Sequence, residues 1–220
     1  ELLCWENVDG YGSSWIEHTV ASGVPTDVLL CSEDIDGDGD SDVLAAPSEW
    51  TADGAEQSTH RDDPGDALAP TGDWIAWWEN LDGSGTAWST HHLVTETFTE
   101  VRSIGADDVD GDGDMDVLGA ATDLSQIAWW ENLDGSGLSW QKHTVVATGF
   151  GGAMCVHSGD LDGDGDCDIA GAAYWADRIA WWENVGGSGT EWVEHVICES
   201  FECASIAVTE DIDGDGCLDV

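Results

Sequence analysis

Aspartate stands at positions 1, 3, 5 and 9 of a nine-residue stretch that occurs four times in this sequence, at residues 34–42, 108–116, 160–168 and 211–219. The first copy reads Asp34-Ile35-Asp36-Gly37-Asp38-Gly39-Asp40-Ser41-Asp42. Carboxylates at this spacing converge hard oxygen ligands on one point, and glycines at positions 4 and 6 let the backbone turn around it. That chemistry suits Ca²⁺. The expected side-chain ligands are Asp34, Asp36, Asp38 and Asp42; Asp108, Asp110, Asp112 and Asp116; Asp160, Asp162, Asp164 and Asp168; and Asp211, Asp213, Asp215 and Asp219. Position 7 holds Asp40, Asp114, Asp166 and Cys217, a variation compatible with a ligand that is the backbone carbonyl alone. The sequence therefore predicts about four Ca²⁺ ions per chain.

An EF-hand shares the opening D-x-D-G-D-G but requires a bidentate glutamate at position 12 and flanking helices. Position 12 is Ala45, Gly119 and Gly171 in the first three copies. The segments after the loops, such as Val117-Leu118-Gly119-Ala120, read as short buried strands. An EF-hand is excluded.

Strands must carry these loops, and a second repeated signature supplies them. Cys4-Trp5-Glu6-Asn7, Trp77-Trp78-Glu79-Asn80, Trp129-Trp130-Glu131-Asn132 and Trp181-Trp182-Glu183-Asn184 each precede a glycine-rich turn such as Leu133-Asp134-Gly135-Ser136-Gly137. A strand of pattern W-x-x-H follows, with Trp15 and His18, Trp88 and His91, Trp140 and His143, Trp192 and His195. Tryptophan-rich strands around such a turn form a β-hairpin. Successive copies lie 52 residues apart from Trp78 to Trp130 to Trp182, the period of propeller blades.

The predicted fold is all-β: a single β-propeller domain over residues 1–220, built of four-stranded antiparallel blades. The Ca²⁺ loop joins the first and second strand of each blade. An insertion near 48–71 separates the second and third strands of the first complete blade. The ends supply two strands each, so 16 strands are expected, with the first and last half-blades sharing one blade. Two other arrangements stay open: a piece of a larger propeller, or two chains forming one ring.

Composition narrows the function. A formal charge of −43, from 47 acidic residues against four Lys and Arg, leaves the chain strongly acidic even with four Ca²⁺ ions bound. Such a surface repels phosphate backbones and anionic membranes, so nucleic acid partners and membrane insertion are not expected. No apolar run reaches the length of a membrane span, and no signal peptide is recognisable. The chain begins at Glu1, which reads as a processed or excerpted piece. Seven cysteines lack zinc-type spacing, and Cys198 and Cys203 are spaced to close a disulfide in an oxidising compartment.

The motif D-x-D-G-D-G-x-x-D followed by a V-L-G-A-A-like strand resembles the FG-GAP/VCBS repeat of integrin-like alpha-chain propellers. The name-giving pair survives here only as Phe150-Gly151. The resemblance implies an extracellular or cell-surface module for adhesion, carbohydrate binding or scaffolding, with a glycan or extracellular protein as partner. It also admits an accessory domain of a polysaccharide-active enzyme.

The repeated histidines and eleven of the 14 tryptophans read as packing features, because a ring would hold equivalent positions apart. The non-repeating aromatics are the candidate ligand residues: Trp50, Trp74, Tyr174 and Trp175, on the face opposite the Ca²⁺ loops. Single-copy polar residues, His60, Arg61, Asp62, Asp63, His157 and Arg178, are the alternative catalytic set, without a nucleophile motif beside them. The favoured expectation is a non-enzymatic, calcium-stabilised binding module. A polysaccharide-active enzyme, with its chemistry on the insertion, is the alternative.

Overall fold

The computed structural model describes residues 1–25, 27–48 and 73–220. Fourteen strands are found among them, and no helix. A two-stranded antiparallel sheet comes first, from β1 (Leu2–Asn7) and β2 (Trp15–Ala21). Three four-stranded antiparallel sheets follow, each in chain order. The first holds β3 (Val28–Cys31), β4 (Val43–Pro47), β5 (Ile75–Trp78) and β6 (His92–Thr95). The second holds β7 (Val101–Asp107), β8 (Asp116–Ala121), β9 (Gln126–Asn132) and β10 (Trp140–Val146). The third holds β11 (Ala153–Gly159), β12 (Asp168–Ala173), β13 (Arg178–Asn184) and β14 (Trp192–Cys198).

Each repeat thus folds as one four-stranded meander, with an aspartate-rich loop between its first two strands. The expected 16 strands reduce to fourteen because the last loop is flanked only by an isolated bridge between Glu210 and Asp219. No third strand lies beside it among the described residues to extend the pairing. Residues 49–72, with most of the expected insertion, lie outside the described residues. The strands on either side pair directly, Val43 opposite Trp78 and Ala45 opposite Ala76, so the intervening segment does join second and third strands.

Local sequence explains why the sheets stack. The second strands Asp116–Ala121 and Asp168–Ala173 are buried along their whole length, and Val43–Pro47 through its middle; they consist largely of small and branched residues instead of an alternating pattern. Their small residues make room for rings. A Cβ at Gly119 would lie 2.9 Å from the Phe98 ring and 3.1 Å from Trp130, and one at Gly171 would lie 2.7 Å from Ile127 and 3.1 Å from Phe150 and Trp182. Phe98 meets Trp130 edge-on at 4.9 Å between centroids, and Phe150 meets Trp182 at 4.8 Å.

Neighbouring sheets are joined by the first tryptophan of the W-W-E-N strand. The Trp77 indole donates to the Gly137 carbonyl of the next sheet's hairpin at 3.0 Å, and Trp129 to Gly189 at 3.2 Å. Cys4 stands where those tryptophans stand, and its thiol donates to the Gly85 carbonyl at 3.6 Å. The hydrophobic core is correspondingly divided into clusters between consecutive sheets. First strands face one another, β7 lying between β3 and β11.

No disulfide forms among the described residues, and Cys198 and Cys203 are free thiols, contrary to the expected pairing. Cys203 is held elsewhere: its backbone N–H donates to Asp177 at 2.8 Å.

Candidate metal centres

The four loops fold to one plan. The position-1 aspartate accepts from the position-6 glycine N–H: Gly39 to Asp34, Gly113 to Asp108 and Gly216 to Asp211 at 3.0 Å, Gly165 to Asp160 at 3.1 Å. The position-3 and position-5 carboxylates each accept from the N–H two residues on, as Asp36 does from Asp38 at 3.2 Å and Asp38 from Asp40 at 2.9 Å. Gly37 (φ 74°) and Gly39 (φ 98°) occupy the left-handed region that these turns require.

Position 9 is different in kind. Asp42, Asp116 and Asp168 are buried, and each spans two strands. One oxygen accepts from the loop's own second residue, Ile35, Val109 or Leu161, at 3.0 Å. The other accepts from the asparagine N–H of the third strand, Asn80 at 2.9 Å, Asn132 at 2.8 Å and Asn184 at 2.9 Å. Asp219 makes the loop bond from Ile212 at 3.1 Å.

These restraints bring carboxylate oxygens within 4.8 Å of one another in every loop: Asp34, Asp36 and Asp42; Asp108, Asp110 and Asp116; Asp160, Asp162 and Asp164; Asp211, Asp213 and Asp219. Asp38 joins Asp36 in a second grouping that includes Glu79. Asp40, Asp114 and Asp166 do not turn their side chains into these clusters. They lie against the hairpin glycines Gly83, Gly135 and Gly187, where a Cβ would collide with them. Position 7 is thus left with its backbone to offer, as the substitution by Cys217 anticipates.

Whether these residues fit a hard cation is tested by two atoms. Oδ1 of Asp34 and Oδ1 of Asp108 are buried with no hydrogen-bond partner among the described residues. An anionic oxygen buried among other carboxylates without a donor is costly, and a divalent cation at that point relieves the cost. Burial pushes the Asp42 carboxyl up to about 6 and Asp116 up to about 7, and raises Asp168, with the neighbouring carboxylates adding to the effect. Asp36, Asp110 and Asp162 are raised for the same two reasons. The donor set is all oxygen, as Ca²⁺ prefers.

Two repeated residues escaped the sequence reading. The asparagine of W-W-E-N anchors its loop and also crosses to the preceding sheet, Asn132 donating to the Ile35 carbonyl at 3.0 Å and Asn184 to Val109 at 2.8 Å. The glutamate binds the fourth-strand histidine: Glu131 to His143 at 2.7 Å, Glu183 to His195 at 2.8 Å, Glu6 to His18 at 3.0 Å. Their fourfold recurrence was the available signal. His143 and His195 also stack on Trp129 and Trp181. In the first four-stranded sheet this place belongs to His92, opposite Trp77 and 3.9 Å from Glu79, and not to His91 as the W-x-x-H spacing implied. His91 instead lies toward Trp78.

The candidate ligand residues separate. Trp74 is 1% exposed and packs edge-on to Trp78 at 6.1 Å, so it belongs to the core and is no binding residue. Tyr174 (42% exposed) and Trp175 (59%) are on the surface, their backbone N–H groups tied to the carbonyls of Gly152 and Gly151. Trp50 and the His60 to Asp63 cluster lie outside the described residues. His157 bonds Thr209 at 2.6 Å and Arg178 pairs with Glu194 at 3.1 Å, so the structure does not bring these two into one site.

Against known proteins, a family model described as an FG-GAP-like repeat matches residues 34–119, 108–171 and 160–220. No curated protein matches the chain. Among the described residues no helix is long and apolar enough to cross a membrane.

Proposed function

Because the chain belongs to the FG-GAP-like repeat family, we propose that it is a calcium-stabilised extracellular β-propeller that acts as a binding or scaffold module. The observation that carries this reading is the fourfold loop plan with its converging carboxylates and the unpartnered buried oxygens of Asp34 and Asp108. Side chains at positions 1, 3, 5 and 9, with the position-7 carbonyl, would hold each ion. The ion would supply charge neutralisation and a staple between first and second strands, and the asparagine bond carries that constraint to the third.

The ring is part of the proposal. The two-stranded sheet presents third and fourth strands, and residues 210–219 present the loop that belongs to first and second strands. Their meeting would complete a fourth blade. Exposed Trp5, Trp15 and Ile16 at one end, and Ile206, Val208 and Ile212 at the other, are the apolar surfaces such a meeting would cover.

The reading assigns the protein no catalytic step, and gives it a glycan or extracellular protein as partner. Calorimetric titration of chelator-stripped protein with Ca²⁺ tests the metal claim. Saturation at about four ions per chain, in the about 10⁻⁴ to 10⁻³ M range of extracellular modules, is expected. Absence of saturable binding would overturn it.

A further inference from the structure

In two of the four-stranded sheets the glutamate of W-W-E-N is taken up by a fourth-strand histidine, Glu131 by His143 at 2.7 Å and Glu183 by His195 at 2.8 Å. In the first four-stranded sheet that pair is open. Glu79 stands 3.9 Å from His92, beyond hydrogen-bond reach, and Nε2 of His92 is buried with no hydrogen-bond partner among the described residues.

The hairpin explains the difference. Pairing of β5 with β6 stops at Trp77 opposite His92 and resumes as an isolated bridge between Asn80 and Trp88. Trp78 and Glu79 therefore oppose three residues, Ser89, Thr90 and His91, as in a β-bulge. The His92 ring is tilted 33° from the Trp77 plane, whereas His143 and His195 lie at 17° and 14° to Trp129 and Trp181. The backbone of Glu79 stays fixed, its N–H donating to the Ser89 hydroxyl at 3.0 Å and its carbonyl accepting from the Ser89 N–H at 2.9 Å.

Register decides where the released carboxylate stands. Val43 pairs with Trp78, so Asp42 and Glu79 adjoin at the end of the aspartate-rich loop. An oxygen of Glu79 lies within 4.8 Å of oxygens of both Asp36 and Asp38, the position-3 and position-5 residues. Among the described residues no other loop has a third-strand glutamate in such a grouping. The loops at 34–42, 108–116 and 160–168 carry the same aspartates and glycines, so their own sequences give no reason for unequal affinity. Glu79 supplies one. Like charges this close repel each other, and a divalent cation among them reverses the sign.

We infer that Glu79 is a further ligand of the first metal centre and makes that centre the tightest of the four. The affinity of an all-oxygen Ca²⁺ site is tuned by the number of charged ligands and by its rigidity, and Glu79 adds to both from a strand outside the loop. The inference rests on the reading of the loops as Ca²⁺ centres.

Competition for Ca²⁺ between the full chain and a chromophoric chelator tests it, because it resolves sites of different affinity. In the parent chain one ion should bind at least about tenfold more tightly than the rest. Glu79→Gln keeps the size and removes the charge, so the tight class should vanish while about four ions still bind. Glu131→Gln, the same change where histidine holds the glutamate, should leave the tight class in place. In excess chelator Glu79→Gln should melt no lower than the parent, since it relieves repulsion at an empty loop. Four indistinguishable sites in the parent, a tight class that survives Glu79→Gln or is lost equally in Glu131→Gln, or a Glu79→Gln chain that melts lower in chelator would each overturn the assignment. A parent chain that binds no Ca²⁺ would instead fail the underlying reading of the loops.

Discussion

Asp42, Asp116 and Asp168 have two tasks at once, since each closes an aspartate-rich loop and accepts backbone N–H groups from that loop and from the third-strand asparagine while buried. Their ionised form is costly without a cation. The carboxyls raised to about 6 (Asp42) and about 7 (Asp116) bind protons in the folded chain at pH values where the unfolded chain has released them. Their contribution to stability is therefore full below about pH 4 and is lost as pH rises through 6 to 7. Chelator-treated protein should melt at a higher temperature at pH 5.5 than at pH 8, whereas the Ca²⁺-induced rise in melting temperature should be larger at pH 8, where protons no longer compete. Thermal unfolding at both pH values checks this; a metal-free melting temperature that falls on acidification would contradict it. Asp116→Ala leaves two backbone donors unpaired and should cost about 3 kcal/mol in denaturant unfolding of the Ca²⁺-loaded protein. At this scale the carboxylate clusters were legible because the aspartate spacing alone brings them together. The anchoring role of Asn132 and Asn184 was not, because their partners, Ile35 and Val109, belong to another sheet 97 and 75 residues away. Trp74 was misread for a related reason: a residue outside the repeat can still be core, and only packing against Trp78 shows it.

Between elements the recurring device is an indole of one sheet seated on the glycine turn of the next. Gly137 has φ 66°, and a Cβ there would stand 2.5 Å from the Trp77 ring. Gly149 also has positive φ (88°) but nothing within 4 Å. Gly137→Ala should therefore destabilise by about 2–4 kcal/mol, combining backbone strain with displacement of the ring, whereas Gly149→Ala should lose only about 1 kcal/mol. Equal losses in chemical denaturation would show that the seat does not hold the sheets together. The hairpins and the loop between first and second strands were readable from the 52-residue period. One hairpin was not: between Trp88 and the Trp77–His92 pair the strand carries one residue more than its counterparts, so His92 takes the repeated place. A motif counted from Trp88 cannot register a bulge, because the bulge leaves the flanking letters in order.

For the whole molecule, the three four-stranded sheets follow in chain order, each joined to the next by the tryptophan seat and the asparagine bond, while the two-stranded sheet is joined to the first of them through Cys4. Repeat architectures draw their stability from such neighbour interfaces, so loss at one loop should weaken the adjacent sheets as well. The charge of −43 acts on the entire array, and four carboxylate clusters without cations add repulsion where the strands are tied. Sequence made the repeat, its carboxylate clusters and its stacking visible, because all three recur; the asparagine bonds between sheets were hidden, since their carbonyl partners carry no side-chain signal. The central claim is that divalent cations hold the loops, and through them the sheets. Thermal unfolding with titrated Ca²⁺ against excess chelator, with the bound metal counted by native mass spectrometry, tests it most directly. The account predicts about four ions per chain and a melting temperature that climbs with Ca²⁺ concentration as ligand linkage requires. A chain that binds no calcium, and melts at the same temperature with and without chelator, would contradict it.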